Sequence, residues 1–153
     1  MSGNPYAPPD ARLADPVAAP GSAIKAVGIG LVVDIGGSVV AILLLAIAYG
    51  VLLGASGASG EEIEAATANG SWFFYAGAVV GGGFSALGGY VCARIARHSE
   101  YRLGGILAVV SALIGLVLTF EDYSFKMNLV MAAGGAVAVM LGTRWGMARN
   151  RRP

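Results

Sequence analysis

Apolar residues collect in four long runs, at positions 26–53, 72–93, 103–120 and 125–143, and the polar residues between them fall into short blocks. A helix rises about 1.5 Å per residue, so crossing a hydrocarbon layer about 30 Å thick takes about 20 mainly apolar residues. All four runs meet or approach that length. The pattern predicts an all-α, polytopic membrane protein, a bundle of four transmembrane helices. The first run is long for one crossing and is expected to tilt or to project beyond the lipid at one end. Residues 1–22 hold five of the six prolines, which predicts a flexible, Pro-rich tail over 1–25. The transmembrane domain then covers 26–146, and 147–153 form a basic tail. The linker 54–71, GASGASGEEIEAATANGS, starts as a Gly/Ser/Ala coil and carries only acidic charge.

Composition agrees with the pattern and narrows the chemistry. With 56% hydrophobic and 12% charged residues, the chain needs lipid as its solvent, and four spans leave no length for a separate soluble domain. Cys92 is the single cysteine and lies inside an apolar run, which excludes an intramolecular disulfide and any cysteine-based metal site. Neither a metal nor another cofactor is expected. The single histidine, His98, sits in a basic loop, and Asp34 has no second intramembrane acid to work with, so an enzyme is not expected and no catalytic residue is assigned. GGGFSALGG has the glycine density of a phosphate cradle, but no Walker lysine follows and the stretch lies at membrane depth.

Small residues recur every three or four positions in each run. Gly30 and Gly37 do so in the first, Gly77, Gly81, Ser85 and Gly88 in the second, Gly104, Ser111 and Gly115 in the third, and Gly135 and Gly142 in the fourth. Such spacing puts them on one helix face. Lipid gives no hydrophobic gain for bringing helices together, so association depends on the close approach that small residues permit. These residues are expected to make the helix contacts of a compact bundle, with valine, leucine and isoleucine facing lipid. Gly82, Gly83 and Gly89 lie off the main face of the second run and leave room for a second contact. A homodimer, or assembly with another membrane protein, follows as an expectation.

Charge sets the expected orientation. Of ten basic residues, Lys126 alone lies in the loops 54–71 or 121–126; the rest lie in the two tails or in the loop between the second and third runs. Short cytoplasmic loops are enriched in Lys and Arg, so both termini are expected in the cytoplasm with the acidic loops outside. The arginines of the middle loop and of the C-terminal tail also suit anionic lipid headgroups, an explanation preferred over nucleic acid, which is not expected as a partner.

Asp34 is the single acid within any run. A carboxylate at that depth costs about 3 kcal/mol on insertion scales unless it is paired or neutralised. It lies nine residues after Lys25, in the half of the span near the N-terminus, where Arg94 and Arg144 approach a similar level from other runs and Ser111 comes within range. Two roles fit. Asp34 can glue helices together, with Arg94 or Arg144 as counterion, or it can serve a proton- or cation-coupled site.

The segment GGYVCARIARHSEYRLGG, residues 88–105, resembles the GGYxAARxA signature of small, poorly characterised bacterial membrane proteins with four spans, and the NPYAPP start and LVVDIGGS stretch are similar to theirs. Cys92 stands where alanine is commoner. The resemblance implies four spans in a bacterial inner (cytoplasmic) membrane and carries no activity. The leading expectation is a non-enzymatic protein acting through helix packing with itself or another membrane protein. The alternative is a small proton- or ion-coupled transporter or channel using Asp34.

Overall fold

The computed structural model describes residues 21–68, 70–120 and 123–151. Most of the Pro-rich tail, with Arg12, and Arg152 and Pro153 at the other end lie outside the described residues. Five helices follow in order: α1 (Ala23–Ala55), α2 (Gly60–Thr67), α3 (Trp72–Ala96), α4 (Glu100–Leu118) and α5 (Phe125–Asn150). All but α2 are long and apolar enough to cross a membrane, and the described residues contain no strand, so the protein is all-α with four candidate spans.

Local sequence explains where the helices start. Ser22, Ser59, Ser71 and Ser124 each precede a helix, and their hydroxyls accept the backbone N–H of Lys25, Glu62, Phe74 and Met127. A serine in this position satisfies a donor that the first helical turn cannot satisfy internally. At Ser59 the arrangement is reciprocal, because the Glu62 carboxylate accepts the Ser59 N–H at 2.7 Å. That capping box makes the acidic half of the 54–71 linker into α2, a helix that the hydrophobic pattern did not predict. The spans also run longer than the apolar runs. Lys25 lies in the first turn of α1, and α5 continues to Asn150, through most of the segment expected as a basic tail.

The turn between α3 and α4 is tight. Arg97 and Ser99 adopt left-handed backbone conformations, with φ of 54° and 46°. Only glycine takes this region without steric penalty. The turn is held by the Arg97 N–H, which donates to the Ala93 carbonyl, and by His98 Nδ1 at 2.6 Å from the Ala96 carbonyl oxygen.

The helix α3 is the hub. It packs most extensively on α5, and it also contacts α1 and α4; α4 contacts α1 and α5, which leaves α1 and α5 on opposite sides of the α3/α4 pair. Burial is uneven along the bundle. The buried core is Ala26, Cys92, Ala93, Ala96, Leu103, Leu107, Ala108 and Val139, all toward the basic end, where α1 begins and α5 ends. In the other half, α1 has no buried residue from Gly37 to Ala55, and Asn128 is the sole buried residue in the first half of α5. At the acidic end the contacts are aromatic instead: Tyr49 stacks on Phe73 at 5.5 Å, and Phe74 meets Tyr123 at 5.7 Å.

Glycine geometry accounts for this division. In the closed half the backbones touch: a Cβ on Gly88 would lie 2.7 Å from the Gly30 carbonyl oxygen, and one on Gly142 would run into the Ala86 carbonyl. Gly104 is pressed against Thr143, Gly89 against Val139, and Gly37 against the Phe84 ring. Gly88 and Gly89, adjacent in sequence, thereby serve two different neighbours, α1 and α5. Gly77, Gly81 and Gly115 behave otherwise. Expected in helix contacts, they have no other residue within 4 Å of a Cβ, as do Gly82, Gly83 and Gly134. Gly135 is nearly as free, with the Ser85 hydroxyl at 4.0 Å. The small faces therefore close one half of the bundle and leave the other half open, which corrects the expectation of a uniformly compact bundle.

Candidate functional site at Asp34

Asp34 lies at the boundary between the closed and open halves. It is held there by an irregularity in α1, where Val32–Gly36 wind as a single π-helical turn. Such turns insert one extra residue into the helical path and break the regular hydrogen-bond ladder. The Gly37 N–H reaches back to the Val32 carbonyl, and the Ser38 hydroxyl donates to the Asp34 carbonyl oxygen at 2.6 Å. Two glycines, Gly36 and Gly37, follow the β-branched Val32, Val33 and Ile35, so the local sequence is poor in residues that favour a regular helix.

Asp34 is 3% exposed. Its oxygens are shared between two other helices: Ser85 of α3 donates to Oδ1 at 2.7 Å, and Ser111 of α4 donates to Oδ2 at 2.6 Å. Packing makes this geometry possible. A Cβ on Gly88 would come within 2.8 Å of the Asp34 Cβ, so only the bare glycine backbone lets α3 approach α1 closely enough for Ser85, one turn away, to reach the acid. Among the described residues no basic side chain bonds Asp34.

The expected counterions are elsewhere. Arg94 is exposed and donates to Asn150 Oδ1 at 3.0 Å; Asn150 Nδ2 in turn donates to the Ala93 carbonyl at 2.9 Å. Arg144 is exposed on α5, a helix that makes no extensive contact with α1. The reason is position: both arginines are exposed on the outside of the bundle, while the carboxyl group points into the α1/α3/α4 junction. The pairing of Asp34 with Arg94 or Arg144 is replaced by a pairing with Ser85 and Ser111.

Of these two serines, Ser85 was legible only as a small packing residue. The available signal was its hydroxyl: a polar side chain at membrane depth needs a partner, and Asp34 is the single acid at that depth. Ser38, Thr119 and Asn128 gave no comparable sign. Asn128 is 3% exposed and accepts the Thr119 hydroxyl at 2.7 Å, while its amide donates to the Thr119 and Tyr123 carbonyls at 3.2 Å. This set ties the end of α4 to the start of α5.

Two cavities lie in the open half. One, of about 210 Å³, is bordered by Ser85 and Ser111 at one side and by Thr119 and Asn128 at the other. The second, of about 590 Å³, shares Ser85 and Thr119 with the first and extends to Thr67 of α2 and to the aromatic residues Phe73, Phe74 and Tyr123. Polar groups thus stand at the two ends of the smaller cavity, with Ala112, Gly115, Leu116 and Ala132 between them. Groups of His, Cys, Asp and Glu able to hold a metal ion are absent among the described residues. No protein-family model, curated protein or solved structure matches this chain.

Proposed function

We propose that this chain is a non-enzymatic integral membrane protein, a small proton- or cation-coupled transporter or channel that works through Asp34. The observation that carries the reading is a buried acid whose two bonding partners, Ser85 and Ser111, both border open volume. An acid retained only to join helices needs those partners and nothing further. Here the partners form one end of a cavity whose other end is Thr119 and Asn128, so a proton or ion has polar groups at both ends of the open volume. A π-turn at the acid is in keeping with this role, because such turns free backbone groups and concentrate at functional positions.

Charge distribution supports both termini in the cytoplasm, with α2 and the α4–α5 turn outside, and the resemblance of residues 88–105 supports a bacterial inner membrane. The test is proton movement into proteoliposomes with an entrapped pH-sensitive dye under an imposed gradient. Wild-type protein is expected to dissipate the gradient faster than Asp34→Asn protein of equal yield and equal elution profile. Equal rates would overturn the reading.

A second reading, assembly through helix packing with another copy or another membrane protein, is favoured by α1 beyond Gly37, which buries no residue, and by the open glycines Gly77 and Gly81. Cross-linking in native membrane separates the two: a strictly monomeric chain removes the assembly reading and leaves the first standing.

A further inference from the structure

Three features of the larger cavity specify a ligand. Its volume, about 590 Å³, lies in the range that holds a small organic molecule and far exceeds the needs of a proton or a bare metal ion. Its walls are mainly apolar and aromatic, with Phe73, Phe74 and Tyr123 contributing rings and Gly81 opening the space that a larger residue would fill. The charged groups around it are mainly acidic, Lys126 in the first turn of α5 being the exception. Ser85 forms part of the wall, and directly behind it lies the Asp34 carboxyl group. Over the rim, Thr67 comes from α2, whose Glu61, Glu62 and Glu64 are exposed. Among the described residues none that borders the cavity is basic.

Resting on the Asp34 reading above, we propose that this cavity binds an organic monocation with an apolar body. Each part of such a ligand has a counterpart. The apolar body fills the glycine-floored space and packs against the rings of Phe73, Phe74 and Tyr123. The positive charge belongs at the Ser85 end of the cavity, where an ionised Asp34 attracts it through a low-dielectric interior. The acidic α2 raises the local concentration of cations at the rim. A lipophilic anion of the same shape meets the same walls and the opposite electrostatics, so selectivity by sign is the distinctive property of this site.

The experiment is calorimetric titration of the purified full-length protein in detergent with two probes of matched shape, tetraphenylphosphonium and tetraphenylborate. The cation is expected to bind at least tenfold more tightly than the anion. Asp34→Asn should reduce cation affinity at least tenfold and leave anion binding unchanged. Gly81→Leu, which fills the cavity, should abolish cation binding; Gly82→Leu serves if the first variant does not fold. Equal binding of both ions, or cation binding untouched by Asp34→Asn, would overturn the proposal. Proton movement through Asp34 with no cation binding sinks this inference and spares the coupling reading. Cation binding without proton movement has the converse meaning: the coupling reading fails and the cavity stands as a binding site.

Discussion

Ser85 donates its hydroxyl hydrogen bond to Asp34 Oδ1 at 2.7 Å, joining α3 to α1 across 51 positions of sequence, and Ser111 of α4 does the same at Oδ2. One carboxyl group thereby connects three of the four long helices. Interhelical hydrogen bonds at membrane depth are worth about 0.6 kcal/mol on average, with about 1.7 at the upper end. Ser85→Ala and Ser111→Ala are each expected to cost about 1 kcal/mol. The double variant should cost more than the sum, because it leaves the acid with no donor from a neighbouring helix. Unfolding titrations in mixed detergent micelles measure all three; strict additivity would show that the two serines do not share Asp34.

Glycine substitutions should divide by position rather than by type. Gly88→Ala and Gly142→Ala place a methyl group against backbone atoms of the facing helix and are expected to destabilise the protein by about 1–3 kcal/mol. Gly81→Ala and Gly134→Ala enter open space and should be neutral, or should raise stability through higher helix propensity. Thermal denaturation followed by circular dichroism distinguishes the groups, and similar losses at all four positions would count against a half-open bundle.

The basic end carries a clasp in which Asn150 bonds Ala93, Arg94 and, at 3.4 Å, Glu100. Asn150→Ala removes one of the two donors to the Ala93 carbonyl, the other being the Arg97 N–H, and loosens α5 from the α3–α4 turn, so it should lower the melting temperature more than Arg94→Ala does. Arg94 is exposed, and its loss removes one bond that water replaces. A larger effect from Arg94→Ala, melting being the readout, would restore a structural role for that charge.

At Arg97 the backbone is left-handed without being glycine. Glycine at the residue after a helix takes this conformation without steric cost. Arg97→Gly is therefore expected to stabilise the fold by up to about 1 kcal/mol. A fall in melting temperature would mean that the side chain, rather than the backbone, matters there.

Orientation is testable by cysteine labelling in a Cys92→Ala background, with an impermeant reagent applied to intact cells. A cysteine at Ser59 is expected to label and one at Arg149 to remain protected. The opposite pattern would reverse the assigned sides.

Much of the architecture is legible in the amino-acid sequence because lipid permits few solutions. Runs of about 20 apolar residues have to become helices whose backbone groups bond internally, so the existence and order of the four long helices follow from hydropathy alone. The presence of one acid at membrane depth likewise marks Asp34 without any structure. Helix α2 was also written locally, in Ser59 and Glu62, but it is short and its signal is a cap rather than a hydrophobic period.

The tertiary structure decided the rest, because it depends on distances between helices that no local pattern contains. Gly88 and Gly81 occupy the same stripe, spaced seven apart, and nothing in that spacing tells that the first meets Gly30 while the second borders empty volume. Likewise Arg94 and Ser85 are both near enough in sequence depth to be partners of Asp34. Position in the bundle and the glycine contact at Gly88 give the acid to the serine and leave the arginine exposed and bonded to Asn150. An intramembrane acid can be found from sequence, but the identity of its partners is a property of packing.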